Sequence, residues 1–250
     1  MPFVRIKSYL IHYEQSGHGE PVLFLPGWGM SGNCFSKLKS HLSGRFSVYL
    51  LDLPGFGLSS TPDTILSSEE YAKIVEGFLQ KLNLKKPRLL GHSFGGKVAI
   101  YLAAKGIVQK LVLISSAGVR LPKPIKITVK ILLYKLVKLA AKLPVIGRMF
   151  RGYVAKVRAK VGSTDYSKAA GIMRSILVKV VNEDLSRLLS SIKVPTLLIW
   201  GRQDQSTPLA AALKMNEQID DSKLVIIEHS DHFPFLDNPE QVTLELDNFL

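Results

Sequence analysis

Short apolar runs alternate along this chain with longer amphipathic stretches. In the first half, Phe3–Lys7, Tyr9–Tyr13, Val22–Leu25, Val48–Leu51, Arg88–Leu90 and Leu111–Ile114 have the length and aliphatic content of strands. Ser67 followed by Glu70 has the spacing of a capping box and predicts a helix running to about Leu82. Phe94–Lys105 is an Ala-rich apolar helical stretch. Thr196–Trp200 and Leu224–Glu228 again read as buried strands, and Asn238-Pro239-Glu240 supplies a cap and a first-turn proline for a last helix. Early strands in close succession, followed by strand–helix–strand units, predict an α/β fold whose mostly parallel sheet is covered on both faces. Ligands of such sheets bind beyond the carboxyl ends of the strands.

Charge divides the chain where hydropathy does not. The whole carries 33 Lys and Arg against 20 Asp and Glu, a formal net charge of +13. Residues 120–190 hold sixteen of the basic residues and only Asp165, Glu183 and Asp184 as acids, so the remaining 179 residues balance at seventeen of each sign. A basic insert in a neutral body predicts a two-part body, residues 1–118 and 191–250, with a helical cap at 119–190. Within the insert Ile125–Leu143 is amphipathic. Lys126, Lys130, Lys138 and Lys142 share one half of the helical wheel, and Ile125, Val129, Leu132, Leu133, Leu136 and Leu139 favour the other. Two readings stand for that lysine face: a solvated surface above an apolar roof, or a contact for an anionic lipid surface or an acidic acyl carrier. No nucleic-acid motif accompanies the charge, so nucleic acid is not the expected partner.

A chain of 250 residues buries enough surface for a real core, and its single cysteine, Cys34, excludes an internal disulfide framework or a multi-cysteine metal site. The amino-terminal segment lacks the apolar stretch of a signal peptide, and no run approaches the roughly 20 residues of a membrane-spanning helix. The expected location is cytoplasmic, with peripheral membrane contact left open by the basic insert.

The chemistry-bearing residues follow the strands. Gly91-His92-Ser93-Phe94-Gly95 lies between the strand Arg88–Leu90 and a helix, the setting in which a serine hydroxyl stands exposed on a sharp turn. A serine needs a base to become a nucleophile. His232, in the loop Glu228-His229-Ser230-Asp231-His232 after a strand, is the best candidate, and His229 is its competitor nearer the strand end. Asp204, in Gly201-Arg202-Gln203-Asp204 after Thr196–Trp200, can orient the imidazole, with Thr207 and Pro208 opening the next helix. Gly27-Trp28-Gly29 follows Val22–Leu25, so the backbone N–H groups of Trp28 and Phe94 can converge on a carbonyl oxygen; the Trp28 ring itself can be core packing. Singly, each of these residues is as easily a turn residue, a surface acid or a packing contact. Their order, each after a strand, points to one site.

With these motifs the chain resembles the capped, single-domain α/β-hydrolases. The resemblance rests on Leu25-Pro26-Gly27-Trp28-Gly29, Asp52-Leu53-Pro54-Gly55-Phe56-Gly57-Leu58-Ser59, Gly91-His92-Ser93-Phe94-Gly95-Gly96, Gly201-Arg202-Gln203-Asp204 and Asp231-His232-Phe233-Pro234. It implies an α/β-hydrolase fold with an eight-stranded, mostly parallel sheet flanked by helices, and a helical cap inserted after the sixth strand. It also implies a Ser93–Asp204–His232 triad, an oxyanion hole from the amides of Trp28 and Phe94, and no cofactor or metal. Pro26 stands where the family loop usually has histidine, which alters the bracing of the loop rather than its donors. Ser93 argues against the dehalogenases and epoxide hydrolases of the fold, which use an aspartate nucleophile. The implied activity is hydrolysis of a small carboxylic ester with a hydrophobic acyl part through an acyl-enzyme. The alternatives are a thioesterase or methyl esterase on carrier-bound acyl groups, to whose pimeloyl-carrier members the Pro-Gly-Trp-Gly and Asp-Leu-Pro-Gly-Phe-Gly stretches are similar, a carbon–carbon bond hydrolase, or a non-catalytic ligand receptor of the same fold.

Overall fold

The computed structural model describes residues 2–122 and 169–250. The amphipathic segment Ile125–Leu143, with Lys126, Lys130, Lys138 and Lys142, lies outside the described residues. Eight strands form one sheet: β1 (Phe3–Ile6), β2 (Tyr9–Ser16), β3 (Pro21–Leu25), β4 (Ser47–Leu51), β5 (Arg88–His92), β6 (Lys110–Ile114), β7 (Thr196–Gly201) and β8 (Ser222–Ile227). Their order is β1-β2-β4-β3-β5-β6-β7-β8. The first two strands pair antiparallel, β2 meets β4 antiparallel with Tyr13 opposite Leu51, and every pairing from β4 to β8 is parallel. This is the mostly parallel sheet expected from the strand pattern, with the eight strands that the resemblance implies.

Alternate residues of the central strands enter two separate cores. Leu23, Leu25, Leu89, Leu111, Leu113, Leu198 and Trp200 point into one, and Val22, Phe24, Leu90, Val112, Ile114, Leu197 and Ile199 into the other. Such strands read as continuous apolar runs because neither face meets water. The first core is covered by α2 (Ser68–Lys81), α3 (Phe94–Ala104), α4 (Gly171–Val181) and α6 (Leu209–Gln218), and the second by α1 (Ser36–Leu42), α7 (Pro234–Asp237) and α8 (Pro239–Phe249). A single turn, α5 (Ser186–Leu189), adds Leu189 to the first core. Among the described residues no helix is long and apolar enough to cross a membrane.

Several boundaries differ from the sequence reading for local reasons. The first strand stops at Ile6 because Lys7 takes φ +55° in the hairpin turn. The second extends to Ser16 because Glu14, Gln15 and Ser16 pair with β4, a partner no local pattern reveals. The last strand runs Ser222–Ile227 and leaves Glu228 outside, where its carboxylate meets Arg202. Pro208 does not open α6; it is the extended residue before it, and the helix begins at Leu209. The capping box at Ser67 is present in both halves, with Glu70 N–H on Ser67 Oγ at 3.2 Å and Ser67 N–H on the Glu70 carboxylate at 2.6 Å. Asn238 caps α8 by accepting from Gln241 N–H.

Within the basic segment, the described helix α4 lies against the body. Ile176 and Val180 are buried in the first core, the Glu183 carboxylate accepts from Ser68 N–H at the start of α2, and Lys97 Nζ on α3 donates to the carbonyls of Val180 and Glu183. Burial pushes the Lys97 ammonium down to about 8, against the opposing pull of Glu183 and Asp184.

Candidate active site

The carboxyl ends of β3, β5, β7 and β8 carry the residues that matter. At the end of β5 the chain turns sharply into α3, and Ser93 occupies the turn at φ +49°, ψ −113°. That conformation costs an L-residue on the order of 1–3 kcal/mol. It is held by Ser93 N–H on the Ile114 carbonyl at 3.2 Å, and by Gly96 N–H and Ala117 N–H on the Ser93 carbonyl at 3.1 and 3.0 Å. A Cβ at position 95 would collide with the backbone of Leu25 and Pro26, so only glycine lets α3 start this close to β3. The result is a half-exposed hydroxyl at the mouth of the sheet.

His232 reaches that hydroxyl from the loop after β8. Its Nε2 stands 3.0 Å from Ser93 Oγ, and its Nδ1 stands 2.9 Å from Asp204 Oδ2. Because a carboxylate only accepts, Nδ1 carries the proton and Nε2 offers a lone pair to the serine. The loop is braced from below: Ser230 Oγ–H and Asp231 N–H both donate to Asp237 Oδ2. His229, the competing imidazole, takes φ +55° and is exposed, outside the residues that line the cavities around Ser93.

Asp204 is fully enclosed, with no side-chain exposure. Its Oδ1 accepts from Ser206 N–H and Thr207 N–H at 2.8 and 2.9 Å, and its Oδ2 accepts from the Thr207 hydroxyl at 2.7 Å as well as from His232. Burial works to raise this carboxyl, but the bonds from His232 and Thr207 outweigh it and hold the pKa below the usual carboxylate value. The sequence reading placed Thr207 only at a helix start. In the fold it is the clamp on Asp204, and its own carbonyl receives the Trp200 indole N–H at 2.7 Å.

The loop after β3 places Trp28 beside the first residue of α3. The Trp28 ring packs edge-on against Phe94 and Phe56, with centroids 5.4 and 4.8 Å apart. Among the described residues, neither the Trp28 amide nor the Phe94 amide donates to a protein acceptor. Two cavities meet at Ser93, Trp28, His232 and Phe233. One, of about 610 Å³, is lined by Met30, Phe56 and Met173 among others, and the second, of about 650 Å³, by Phe94, Lys97, Leu177 and Val180. Both use residues of α4 or the segment just before it as part of their wall.

The single thiol does not compete with Ser93 as a nucleophile. Burial, reinforced by Asp52, pushes the Cys34 thiol up to about 12. Among the described residues no three His, Cys, Asp or Glu side chains converge as a metal-ligand set.

An eight-stranded, mostly parallel sheet with a strained serine between its central strand and the following helix defines an α/β-hydrolase. The chain belongs to the alpha/beta hydrolase family, whose pattern matches residues 22–245. It is similar to the pimeloyl-(acyl-carrier protein) methyl ester esterase of Nitrosomonas europaea, 31% identical over 253 residues that span 92% of this chain and 96% of the relative. The enzyme of the same name from Vibrio campbellii is 27% identical over 96% of this chain and 98% of its own length. Among solved structures, an esterase from Exiguobacterium antarcticum superposes with a TM-score of 0.76 at 26% identity, covering 99% of this chain and 98% of that one.

Proposed function

We propose that this α/β-hydrolase is a carboxylic ester hydrolase in which Ser93 is the nucleophile, His232 the general base and acid, and Asp204 the residue that orients His232. The reading is carried by the continuous hydrogen-bonded chain from Ser93 Oγ through His232 to Asp204, with links of 3.0 and 2.9 Å. Ser93 Oγ attacks the ester carbonyl as its proton passes to His232 Nε2. The resulting imidazolium is stabilised by the Asp204 carboxylate, and the oxyanion accepts from the Trp28 and Phe94 amides, each such donor being worth roughly 3 kcal/mol. His232 then protonates the leaving alcohol, and water, activated by the same imidazole, releases the acid from Ser93. Trp28, Phe56 and Met173 in one cavity and Leu177 and Val180 in the other offer apolar contacts to a hydrophobic acyl group.

The 119–190 segment is the cap of this reading. Its described helix α4 supplies Met173, Leu177 and Val180 to the walls of the two cavities. The net charge of +13 that 120–190 carries, together with two relatives named as esterases of carrier-bound pimeloyl groups, supports a second reading. In it the ester sits on an acidic acyl carrier that docks on the basic segment in the cytoplasm, and an anionic membrane surface is the alternative contact.

The test is turnover on a series of methyl and aryl esters of increasing acyl length, with stopped-flow detection of an acyl-enzyme burst, in wild type and Ser93→Ala. We expect a burst that lengthens into turnover in wild type and a loss of roughly 10⁶-fold in kcat in the variant. A wild-type protein inert toward every ester and thioester would overturn the hydrolytic assignment. Cleavage of a carrier-bound methyl ester that weakens with salt would select the second reading.

A further inference from the structure

His92, the residue before the nucleophile, is 1% exposed and lies between three pieces of the site. It is covalently next to Ser93. Its Nε2–H donates to the backbone carbonyl of His232 at 2.9 Å. Its Nδ1 faces Gly27, the residue before Trp28: a Cβ placed there would stand 2.7 Å from Nδ1 and 3.1 Å from Cε1. The ring is further enclosed by the rings of His232, Phe233 and Phe235, at centroid distances of 4.9, 5.2 and 5.1 Å. Nδ1 is buried without a hydrogen-bond partner.

We propose that His92 is a positioning residue. Its neutral ring acts as a spacer and a donor that sets the base loop at His232 and the oxyanion loop at Gly27–Trp28 in fixed register with Ser93. The proposal rests on the ester-hydrolase reading of the same site. A bare buried acceptor such as Nδ1 carries a desolvation cost that an apolar ring of equal size lacks. Among the described residues, the only polar bond the imidazole makes in return is the one to the His232 carbonyl. Burial, with the neighbouring His232, pushes the His92 imidazole down to about 3, so the ring stays neutral and keeps its single proton on Nε2 across the working pH range. A ring that does not titrate is a dependable spacer beside one whose proton must move. The carbonyl it holds belongs to the base itself, so a shift of the His92 ring is passed on to the Ser93–His232 distance, where displacements of about 1 Å cost on the order of 100-fold in rate.

The test uses the full chain and a fluorophosphonate probe, which reports the activation of Ser93 without knowledge of the substrate. His92→Phe keeps ring volume and removes the donor; His92→Gln places an amide N–H near the Nε2 position. We expect labelling of His92→Phe, and its kcat on the best ester, to fall roughly 10- to 100-fold with KM within about twofold, and His92→Gln to recover most of the loss. Labelling of His92→Phe at the wild-type rate, or equal losses in both variants, overturns the positioning role while leaving the hydrolase reading intact. A wild-type protein whose Ser93 the probe does not label overturns both. Nitrogen NMR of the wild-type histidines tests the proposal even where a variant fails to fold. The Nε2–H tautomer of His92, unchanged down to about pH 4, supports it, and protonation near the ordinary histidine value of about 6.5 overturns it.

Discussion

Among the described residues, two histidine–aspartate pairs have nearly the same geometry, and only one of them has a serine at its far imidazole nitrogen. His12 Nδ1 meets Asp52 Oδ2 at 2.8 Å, and His232 Nδ1 meets Asp204 Oδ2 at 2.9 Å. Both carboxylates also collect backbone amides: Asp52 takes Gly32 N–H and Leu58 N–H, Asp204 takes Ser206 N–H and Thr207 N–H. The difference lies at the far nitrogen. His12 Nε2 is buried with no hydrogen-bond partner, whereas His232 Nε2 faces a strained serine at the junction of two cavities. The first pair fastens β2, the turn at Gly32 and the loop at Leu58 together. His12 and Asp52 also border a cavity, of about 300 Å³, so what sets the second pair apart is the serine hydroxyl at the far imidazole nitrogen, and a histidine–carboxylate contact alone does not identify a catalytic base.

The two aspartates are where substitutions should separate these pairs most clearly. Asp204→Asn is expected to lower kcat about 10⁴-fold, because an amide can hold the wrong imidazole tautomer and cannot stabilise the imidazolium. A loss below about tenfold would make Asp204 a fastener like Asp52. The same variant separates from wild type in acid. The folded carboxyl lies below its ordinary value, so the stability it contributes is complete above that value and lost as pH falls through the folded one. Asp204→Asn is therefore expected to show a shallower loss of unfolding free energy below about pH 4 in denaturant titrations.

Asp52→Asn is expected to do the reverse. The unfolding free energy should fall by about 3 kcal/mol as buried donors lose their acceptor, while kcat per folded molecule stays within about twofold. Urea denaturation with active-site titration reads both, and a large loss of kcat with unchanged stability would place Asp52 in the site. Ser93→Gly probes the backbone strain beside the second pair. Glycine accepts φ +49° freely, so this inactive variant is expected to be about 1 kcal/mol more stable than Ser93→Ala in the same denaturant assay.

A pH-dependent effect concerns Lys97, which ties the helix launched from Ser93 to α4. Its ammonium is held near 8 in the fold against about 10.5 ordinarily. Between those values the unfolded chain binds more protons, so stability should rise with pH there, by at most about 1.4 kcal/mol per pH unit. Lys97→Met should remove that rise; an unchanged slope would show that the lysine is not buried in solution.

Much of this architecture is written locally. Hydrophobic runs bounded by turn residues mark all eight strands; those of β3 to β7 are nearly unbroken because both faces are buried, whereas β1 and β2 carry exposed residues between buried ones. The capping box at Ser67 and the proline at 239 mark helix starts, because caps are made by residues three positions apart. Ser93, Asp204 and His232 stand out for the same reason: each follows a strand on the edge where such sheets bind ligands. Other features left no local signal. The helix α1 was invisible beside its charged residues, and β2 gained Glu14–Ser16 only through β4. Thr207 looked like a helix start, and His12 looked like an ordinary strand residue until the fold set Asp52 against it. His232 is favoured over His229 in the sequence by its greater distance from the strand end, and the folded loop brings it to Ser93.

The sequence by itself therefore determined the strand and helix alphabet, the parallel sheet and the three residue types at its edge, because each depends on spacing along a few residues. The folded structure alone shows that His12 pairs with Asp52, and that His92 stands between the His232 carbonyl and Gly27. Those distinctions are distances between residues up to 140 positions apart, and such distances are set by the packing of loops on a finished sheet.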